Sequence, residues 1–228
     1  MAGAQMLLSC YKNDGVLEGG IDEAGRGCFW GPMIAAAVIW PEESTWSEDL
    51  RKISATIKDS KKVAPKRRGV LEAAIKSNAV AWAIGRVEAE EIDAIGMTAA
   101  NRLAFLRAFE GLSVKPGRLL IDGCLYMKDI DGVEQIVETK ADGVYISVAA
   151  ASILAKEAHD RIVMDCVVAD SALQENYSIG SSKGYGTSSH CAGLLKHGVY
   201  AGHRRLFLRN LLGAAIYNRP DSGSCLID

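Results

Sequence analysis

The stretch from Gly19 to Pro32 constrains this chain most, because it joins two adjacent carboxylates to a glycine-rich turn. Asp22 and Glu23 come first, the turn Gly25-Arg26-Gly27 follows, and a nearly uncharged run comes after it. Carboxylates suit a hard divalent cation, and glycine lets backbone N–H groups approach a phosphate or a sugar closely. The stretch therefore predicts a metal and a phosphate at one site. The alternative is a surface Asp-Glu pair before an ordinary turn.

The composition is typical of a globular protein. Of the 228 residues, 49% are hydrophobic and 24% are charged, which suits one large domain, or a domain with an appended subdomain. No run of about 18 uncharged apolar residues occurs, and no basic segment precedes the short apolar piece near the N-terminus. We therefore expect no membrane partner, no signal peptide and an intracellular location, cytoplasmic if the source is prokaryotic.

The net charge and the cysteine spacing exclude few functions on their own. A net charge of −2 and a pI near 6.1 do not indicate a nucleic-acid binder, but the sign is uneven along the chain. The six cysteines lack the spacing of a structural zinc site. Two basic clusters are either phosphate contacts or solvated helix faces. They are Lys58, Lys61, Lys62, Lys66, Arg67 and Arg68, and His203, Arg204, Arg205 and Arg209.

Hydrophobic patterning predicts strands and helices in alternation, and hence an α/β fold. After about residue 170 the pattern changes to a Ser/Gly-rich loop at 178–189 and two short helices at 192–195 and 206–216. We therefore predict a core over 1–169 and a C-terminal helical segment over 170–228. The predicted strands are 16–21, 33–40, 79–87, 118–122 and 134–139, and the predicted longer helices are 65–78, 98–109 and 147–168.

Four acids lie beside glycine-bearing turns or at predicted strand or helix ends: Asp22, Glu23, Asp122 and Asp142. Ligands of α/β sheets bind outside the C-terminal ends of the strands, so these acids are candidates for one site. Gathered there, they would repel one another unless cations neutralised them, as in two-metal phosphoryl transfer. Neighbours in a regular strand point to opposite faces, so Asp22 and Glu23 share a site only if the strand ends or bulges. The alternative is a set of scattered surface acids.

Further candidates are one aromatic ring and several phosphate contacts. Tyr185 lies between two glycines and follows Lys183, so its ring is either a stacking surface for a base or sugar, or a plug onto the core. Hydroxyl and cationic side chains are the natural contacts of phosphate. The candidates of these types are Ser60, Lys61, Lys62, Ser152, Lys156 and His203 to Arg205.

Two nucleotide-binding motifs are incomplete or absent. Gly25, Gly27 and Gly31 form G-x-G-x-x-x-G, one residue longer than the dinucleotide fingerprint, and a predicted strand follows where that motif needs a helix. No G-x-x-x-x-G-K-[ST] occurs, which excludes a P-loop nucleotidase. A nucleotide-binding oxidoreductase stays an alternative, and retention of nicotinamide or flavin would reveal it.

Seven motifs, taken in order, resemble those of the ribonuclease HII family over roughly residues 18 to 207. They are Gly20-Ile21-Asp22-Glu23-Ala24-Gly25-Arg26-Gly27 with Gly31-Pro32, Asp59-Ser60-Lys61-Lys62, Ile121-Asp122-Gly123, Lys140-Ala141-Asp142, Ala150-Ala151-Ser152-Ile153-Leu154-Ala155-Lys156, Lys183-Gly184-Tyr185-Gly186-Thr187 and His203-Arg204. The resemblance implies a ribonuclease-H-like mixed β-sheet flanked by helices, with the C-terminal segment packing on the core and the substrate groove. It implies an endonuclease that hydrolyses the RNA strand of RNA/DNA hybrids. It also implies nicking 5′ of ribonucleotides embedded in duplex DNA, with 3′-hydroxyl and 5′-phosphate ends.

The resemblance also assigns residue roles. Asp22, Glu23, Asp122 and Asp142 would bind Mg²⁺ or Mn²⁺ and catalyse. The substrate contacts would be Gly25, Arg26 and Gly27 at the ribose 2′-hydroxyl, Tyr185 at the following deoxyribose, and Lys61, Lys62, Ser152 and Lys156 at phosphates. We expect a monomer. A non-catalytic nucleic-acid-binding protein on the same fold is the main alternative.

The chain departs from the family pattern at three places. Cys28-Phe29-Trp30 is an unusual filling between Gly27 and Gly31, and its large rings are expected to affect the groove. His159 replaces an arginine before Asp160, which would weaken a local ion pair. Leu206 replaces a serine. These departures affect the predicted substrate preference rather than the four carboxylates.

Overall fold

The structure is a computed structural model that describes residues 6–60, 63–128 and 130–213. Its mixed sheet has five strands, namely β1 (Glu18–Ala24), β2 (Met33–Ile39), β3 (Ala81–Val87), β4 (Arg118–Asp122) and β5 (Glu134–Glu138). Their order in the sheet is β3-β2-β1-β4-β5. Strand β1 runs antiparallel to β2 and parallel to β4, which runs parallel to β5. The predicted α/β class with a mixed sheet is confirmed.

Helices of very different length connect these strands and complete the described chain. They are α1 (Glu48–Ser54), α2 (Pro65–Asn78), α3 (Ala89–Ile95), α4 (Met97–Glu110), α5 (Ile146–Ala169), α6 (Ala172–Tyr177), α7 (Ile179–Ser182), α8 (Ser188–His197) and α9 (Arg205–Leu212). Short 3-10 helices occur at Glu43–Thr45 and Ala141–Gly143. No helix among the described residues is long and apolar enough to cross a membrane.

Residue contacts group the chain into two compact units, each made of separate segments. The first comprises Met1–Ala24, Ile34–Gly85 and Arg102–Glu157, and the second comprises Gly25–Met33, Arg86–Asn101 and Ala158–Asp228. The sheet therefore belongs mainly to the first unit. The boundary between residues 169 and 170 stays a prediction.

The first unit packs helices directly on strand backbone. A Cβ at Gly20 in β1 would overlap the backbone of Ser147 and Val148 at the start of α5. A Cβ at Gly85 in β3 would likewise overlap the backbone of α4 at Ala104. Every residue of β2 is buried, as its unbroken apolar sequence predicts. Glycine at these contacts lets helix and strand approach more closely than any side chain would allow.

An arginine aligns the first residues of three strands in the first unit. Arg118 opens β4, and in the sheet register it lies between Glu18 of β1 and Glu134 of β5. Its guanidinium donates to Glu18 at 2.7 Å, to Glu134 at 2.6 Å and to Asp14 at 2.8 Å. The arginine holds the pKa of the Asp14 carboxyl well below its usual range. At this end of the sheet one buried arginine therefore links three carboxylates.

The second unit has its own hydrophobic core. Trp30 lies 4% exposed within it, and the indole Nε1 donates to the Ala201 carbonyl at 2.8 Å. Trp30 therefore packs in this core. It is the largest ring of the unusual segment Cys28-Phe29-Trp30. The other buried members are Val163, Leu173, Tyr177, Ile179, Leu194 and Leu208.

The structure corrects three predictions about element boundaries. Strand β1 extends to Ala24, because β2 pairs with it past the acidic residues as far as Ala24 opposite Ile34. The predicted loop 178–189 contains α7 and the start of α8, whose first turn is capped by the Thr187 hydroxyl. Helices α1 and α3 lie where no helix is predicted. Helix α9 ends at Leu212, and the predicted end at residue 216 lies outside the described residues.

Candidate metal and substrate sites

The register of the sheet brings two predicted acids together. Strands β1 and β4 are parallel neighbours, and Ile21 lies opposite Ile121. The next residue of each strand is a predicted ligand, Asp22 in β1 and Asp122 in β4. The two aspartates therefore lie side by side at the C-terminal ends of adjacent parallel strands, where α/β sheets bind their ligands.

Glu23 lies beside this pair although the strand neither ends nor bulges at Asp22. The ladder to β2 is regular, with Asp22 opposite Ala36 and Glu23 opposite Ala35. Asp22 is 6% exposed, whereas Glu23 is half-buried. The Glu23 amide donates to Asp22 Oδ1 at 2.7 Å. The strand end or bulge that we required is therefore absent, because β1 continues to Ala24. The two carboxylates are nevertheless close, since the charge of Glu23 raises the pKa of Asp22.

Asp142 joins the group through a turn that Asp122 holds. After β5, Lys140 adopts a left-handed conformation with φ of 64°, and the 3-10 helix Ala141–Gly143 follows. The Ala141 amide donates to Asp122 Oδ1 at 2.8 Å. Asp142, which is 6% exposed, is the next residue. All four predicted acids thus lie at the C-terminal ends of β1, β4 and β5, in the first unit.

The electrostatics of this group favour a cation. Burial raises the pKa of Asp22 well above its usual range, and repulsion by Glu23 and then Asp122 raises it further. Hydrogen bonds from the Glu23 amide and the Ser152 hydroxyl oppose that rise. Mg²⁺ and Mn²⁺ prefer carboxylate oxygens, so the donor set fits either ion. No three acidic, histidine or cysteine side chains among residues 6–60, 63–128 and 130–213 already form a metal-binding group.

Ser152 supports Asp22 from α5. Its Oγ lies 2.7 Å from Ser60 Oγ, and it is 4% exposed. Lys156, a predicted phosphate contact, follows Ser152 by four residues and shares its face of the helix. Lys61 and Lys62 lie outside the described residues. The arrangement gives Ser152 a role in orienting Asp22, beside its predicted role at phosphate.

In the second unit, the Gly25-Arg26-Gly27 turn is held tightly at one end and exposed at the other. Gly25 has φ of 78°, and a Cβ there would overlap the ring of His159. The Cys28 amide closes the turn on the Gly25 carbonyl at 3.2 Å. Arg26 and Gly27 are exposed. The turn is therefore fixed in shape while its second half is accessible to a ligand.

Tyr185 lies against this turn with an exposed ring and an anchored hydroxyl. The residue is 38% exposed, and its hydroxyl accepts a hydrogen bond from the Gly25 amide. Burial of that hydroxyl, with Cys28 and Asp160 nearby, raises the pKa of Tyr185 to about 12. A Cβ on Gly27 would lie 3.9 Å from the ring. Tyr185 is thus neither a free side chain nor a simple core plug, since its ring edge faces solvent beside Gly27.

Two buried histidines hold the backbone of Tyr185. His203 Nδ1 lies 3.1 Å from the Tyr200 amide and 2.9 Å from the Tyr200 carbonyl. His203 Nε2 then donates to His190 Nε2 at 3.0 Å, and His190 Nδ1 donates to the Tyr185 carbonyl at 3.0 Å. Burial lowers the pKa of His190, which favours this neutral arrangement.

Sequence reasoning missed the pairing of two departures from the family pattern. Cys28 Sγ lies 3.6 Å from His159 Nε2, and His159 Nδ1 lies 3.3 Å from Asp160 Oδ1. Both Cys28 and His159 are fully buried, directly behind Gly25. They are 131 positions apart, so no local sequence signal connects them. The histidine keeps a contact with Asp160, which is consistent with the weaker ion pair that we expected.

Arg204 corrects another expectation. The sequence places it in a basic cluster as a phosphate contact, but its side chain is completely buried. Nε donates to the Gly31 carbonyl at 2.9 Å, and Nη1 donates to the Arg26 carbonyl at 3.0 Å. Burial lowers the pKa of Arg204 to about 10. Direct contact with phosphate is therefore the wrong prediction for this residue.

Comparison with known proteins gives consistent matches over most of the chain. The family model described as Ribonuclease HII matches residues 19–210. A ribonuclease HII from Bacteroides thetaiotaomicron is 41% identical over 210 residues, covering 91% of this chain and 96% of the relative. The crystal structure of ribonuclease H2 from Pyrococcus horikoshii OT3 has a TM-score of 0.66 and 26% identity, covering 89% of this chain and 99% of that one.

A second solved structure is the PCNA:RNase HII complex from Archaeoglobus fulgidus. It has a TM-score of 0.64 and 27% identity, covering 83% of this chain and 94% of that one. The similarity to both structures confirms the predicted ribonuclease-H-like fold, a mixed sheet flanked by helices.

Proposed function

The chain belongs to the ribonuclease HII family, and on that premise we propose that it cleaves the RNA strand of RNA/DNA hybrids and nicks 5′ of single ribonucleotides in duplex DNA. Membership of the family makes the protein a metal-dependent endoribonuclease. The expected products have 3′-hydroxyl and 5′-phosphate ends. The observation that carries the proposal is that Asp22 and Asp122 lie at the C-terminal ends of the parallel neighbours β1 and β4, with Glu23 next to Asp22 and the Asp142 turn hydrogen-bonded to Asp122.

In this proposal the four carboxylates bind the metal ions, and two of them are already held in position. Two divalent cations, when bound, would supply an activated water and stabilise the leaving 3′-oxygen. Asp22 is held in place by the Glu23 amide and Ser152, and Asp122 by the Ala141 amide. Because these bonds fix the two aspartates before any ion binds, ligand positioning costs little at the moment of binding. Both Mg²⁺ and Mn²⁺ suit such oxygen ligands, and one chain supplies all four, which is consistent with a monomeric enzyme.

Substrate recognition is assigned to the turn and the tyrosine of the second unit. Gly25, Arg26 and Gly27 would contact the ribose 2′-hydroxyl, and Tyr185 would pack on the following deoxyribose. The exposed amide of Gly27 and the exposed ring of Tyr185 support these roles. Lys61, Lys62, Ser152 and Lys156 would contact phosphates. Ser152 is already bonded to Ser60, so its part at phosphate is the least supported of these.

The test is cleavage of a labelled duplex that contains one ribonucleotide, with the nick mapped in Mg²⁺, in Mn²⁺ and in EDTA. We expect a nick 5′ of the ribonucleotide with either metal and none in EDTA. Asp122→Asn should lower the rate by roughly a thousandfold, because the loss of a metal ligand removes several kcal/mol of transition-state stabilisation. Asp131→Asn changes an exposed aspartate and serves as the matched control. Absence of cleavage by the wild-type protein with both metals would refute the proposal.

A further inference from the structure

Arg204 binds the loop that carries the substrate turn from inside the second unit. Its backbone amide donates to the Phe29 carbonyl at 2.7 Å. Its side chain donates to the carbonyls of Gly31 and Arg26, at 2.9 Å and 3.0 Å. One residue therefore fixes three carbonyls of the segment 26–31. The guanidinium is fully buried, which makes it the anchor of this segment.

The guanidinium group of Arg204 uses only part of its hydrogen-bonding capacity. Its Nη2 is buried and has no hydrogen-bond partner among the described residues. No carboxylate forms an ion pair with Arg204 in that part of the chain, and Asp93 acts on it only through its charge at longer range. A buried charge held by neutral carbonyls is costly for folding. Packing alone would be served better by an apolar side chain, so the arginine calls for a functional explanation.

The geometry of the peptide bond supplies that explanation. The bond between Arg26 and Gly27 is trans and planar, so its C=O and N–H point in opposite directions. The Arg26 carbonyl points inward to Arg204, and the Gly27 amide must therefore point outward. Gly27 is exposed, and its amide has no hydrogen-bond partner within the described residues. The ring of Tyr185 lies next to it.

We propose that Arg204 is a positioning residue that orients and polarises the Gly27 amide toward a ribose hydroxyl of the substrate. A cation at the carbonyl end of a peptide draws electrons toward the oxygen and makes the N–H a stronger donor. This inference rests on the proposed function, because it assigns the Gly27 amide a partner on the ribonucleotide. Arg204 itself does not touch the substrate.

The test compares binding of two duplexes in EDTA, one containing a single ribonucleotide and one all DNA. In Arg204→Lys, the ammonium is a single centre that cannot span both carbonyls, so the amide loses its orientation. We expect affinity for the ribonucleotide duplex to fall roughly five- to tenfold, the effect of one lost hydrogen bond, with all-DNA affinity unchanged. Arg86→Lys alters an exposed arginine of the same unit, outside both basic clusters, and should change neither. An equal loss on both duplexes, or no loss, would overturn the proposal.

A second measurement needs neither cleavage nor a stable variant. In the wild-type protein, NMR should detect a scalar coupling across the hydrogen bond from Arg204 Nε to the Gly31 carbonyl carbon. Addition of the ribonucleotide duplex should shift the Gly27 amide proton more than the all-DNA duplex does. Absence of the coupling, or equal shifts with both duplexes, would overturn the assignment to Arg204. If the wild type cleaves neither an RNA/DNA hybrid nor the ribonucleotide duplex with metal, the proposed activity is refuted. The scalar coupling would still show whether Arg204 is bonded to the Gly31 carbonyl.

Discussion

Asp122 accepts a hydrogen bond of 2.8 Å from the amide of Ala141, the residue before Asp142. One predicted metal ligand therefore fixes the turn that carries another. The bond also links the C-terminal end of β4 to the segment after β5, which pairs with it in the sheet. The position of Asp142 therefore depends on the carboxylate of Asp122.

This coupling predicts that two substitutions of Asp122 differ in stability but not in activity. Both Asp122→Asn and Asp122→Ala should lower the cleavage rate by roughly a thousandfold, since neither keeps a carboxylate. Asparagine keeps an oxygen that accepts from Ala141, so Asp122→Ala should be less stable by about 1 kcal/mol. Urea unfolding in EDTA measures the difference, with Asp131→Ala as the exposed control. Equal stability of the two variants would show that the hydrogen bond does not hold the turn.

Asp22→Asn should stabilise the metal-free protein while it abolishes cleavage. The substitution removes a buried charge that Glu23 and Asp122 repel, and it keeps the oxygen that accepts from the Glu23 amide. We expect a gain of roughly 1 kcal/mol in the free energy of unfolding in EDTA. Saturating Mg²⁺ should shrink or reverse the gain, because only the wild type keeps the full ligand set. A variant less stable than wild type in EDTA would contradict this account of the site.

Tyr185→Ala should impair cleavage at a single ribonucleotide more than cleavage of a long hybrid. The long hybrid offers alternative contacts along its RNA strand, whereas the single ribonucleotide depends on one junction. Tyr185→Phe keeps the ring and loses only the hydroxyl that accepts from Gly25, so it should be the milder change. Comparing kcat/KM on the two substrates tests both points. Equal losses on both substrates in Tyr185→Ala would count against a role at the junction.

His190 predicts a loss of stability in mild acid. Burial lowers its pKa below 6.5 in the folded protein, so the unfolded chain binds a proton first as the pH falls. Stability should be unaffected above pH 6.5 and should fall below it by up to about 1.4 kcal/mol per pH unit, until the folded-state pKa is reached. His190→Gln should flatten this part of the urea-unfolding profile. His197→Gln, at an exposed histidine, should not.

The placement of two carboxylates at neighbouring strand ends could be predicted from sequence, because each of them has a local signal. Asp122 ends an apolar strand before a glycine, and Asp22 lies just before a glycine-rich turn. The parallel pairing of β1 with β4 then brings them together, a relation that general sheet rules supply. Hydrophobic patterning likewise predicted α2, α4 and α5 close to their observed bounds, because their apolar residues are long runs with helical spacing.

The supporting contacts could not be predicted, because their partners are distant in the chain. Ser152 bonds Ser60 across 92 positions, and Arg204 bonds Arg26 across 178. A single sequence shows which residue types are present but not which side chains become buried together. Arg204 illustrates this most clearly, since its neighbours in sequence are basic while its neighbours in space are carbonyl oxygens.

The contact between Gly20 and the start of α5 limits how this enzyme can be altered. Position 20 admits no side chain, since even a methyl group would overlap the backbone of Ser147 and Val148. The distance between strand β1 and helix α5, which carries Ser152, is therefore fixed at Gly20. This contact lies two residues before Asp22. Engineering that aims at a different metal preference has to leave this spacing intact and change the residues beyond it. Substitutions at Gly20 should thus be among the least tolerated in a library screened for cleavage.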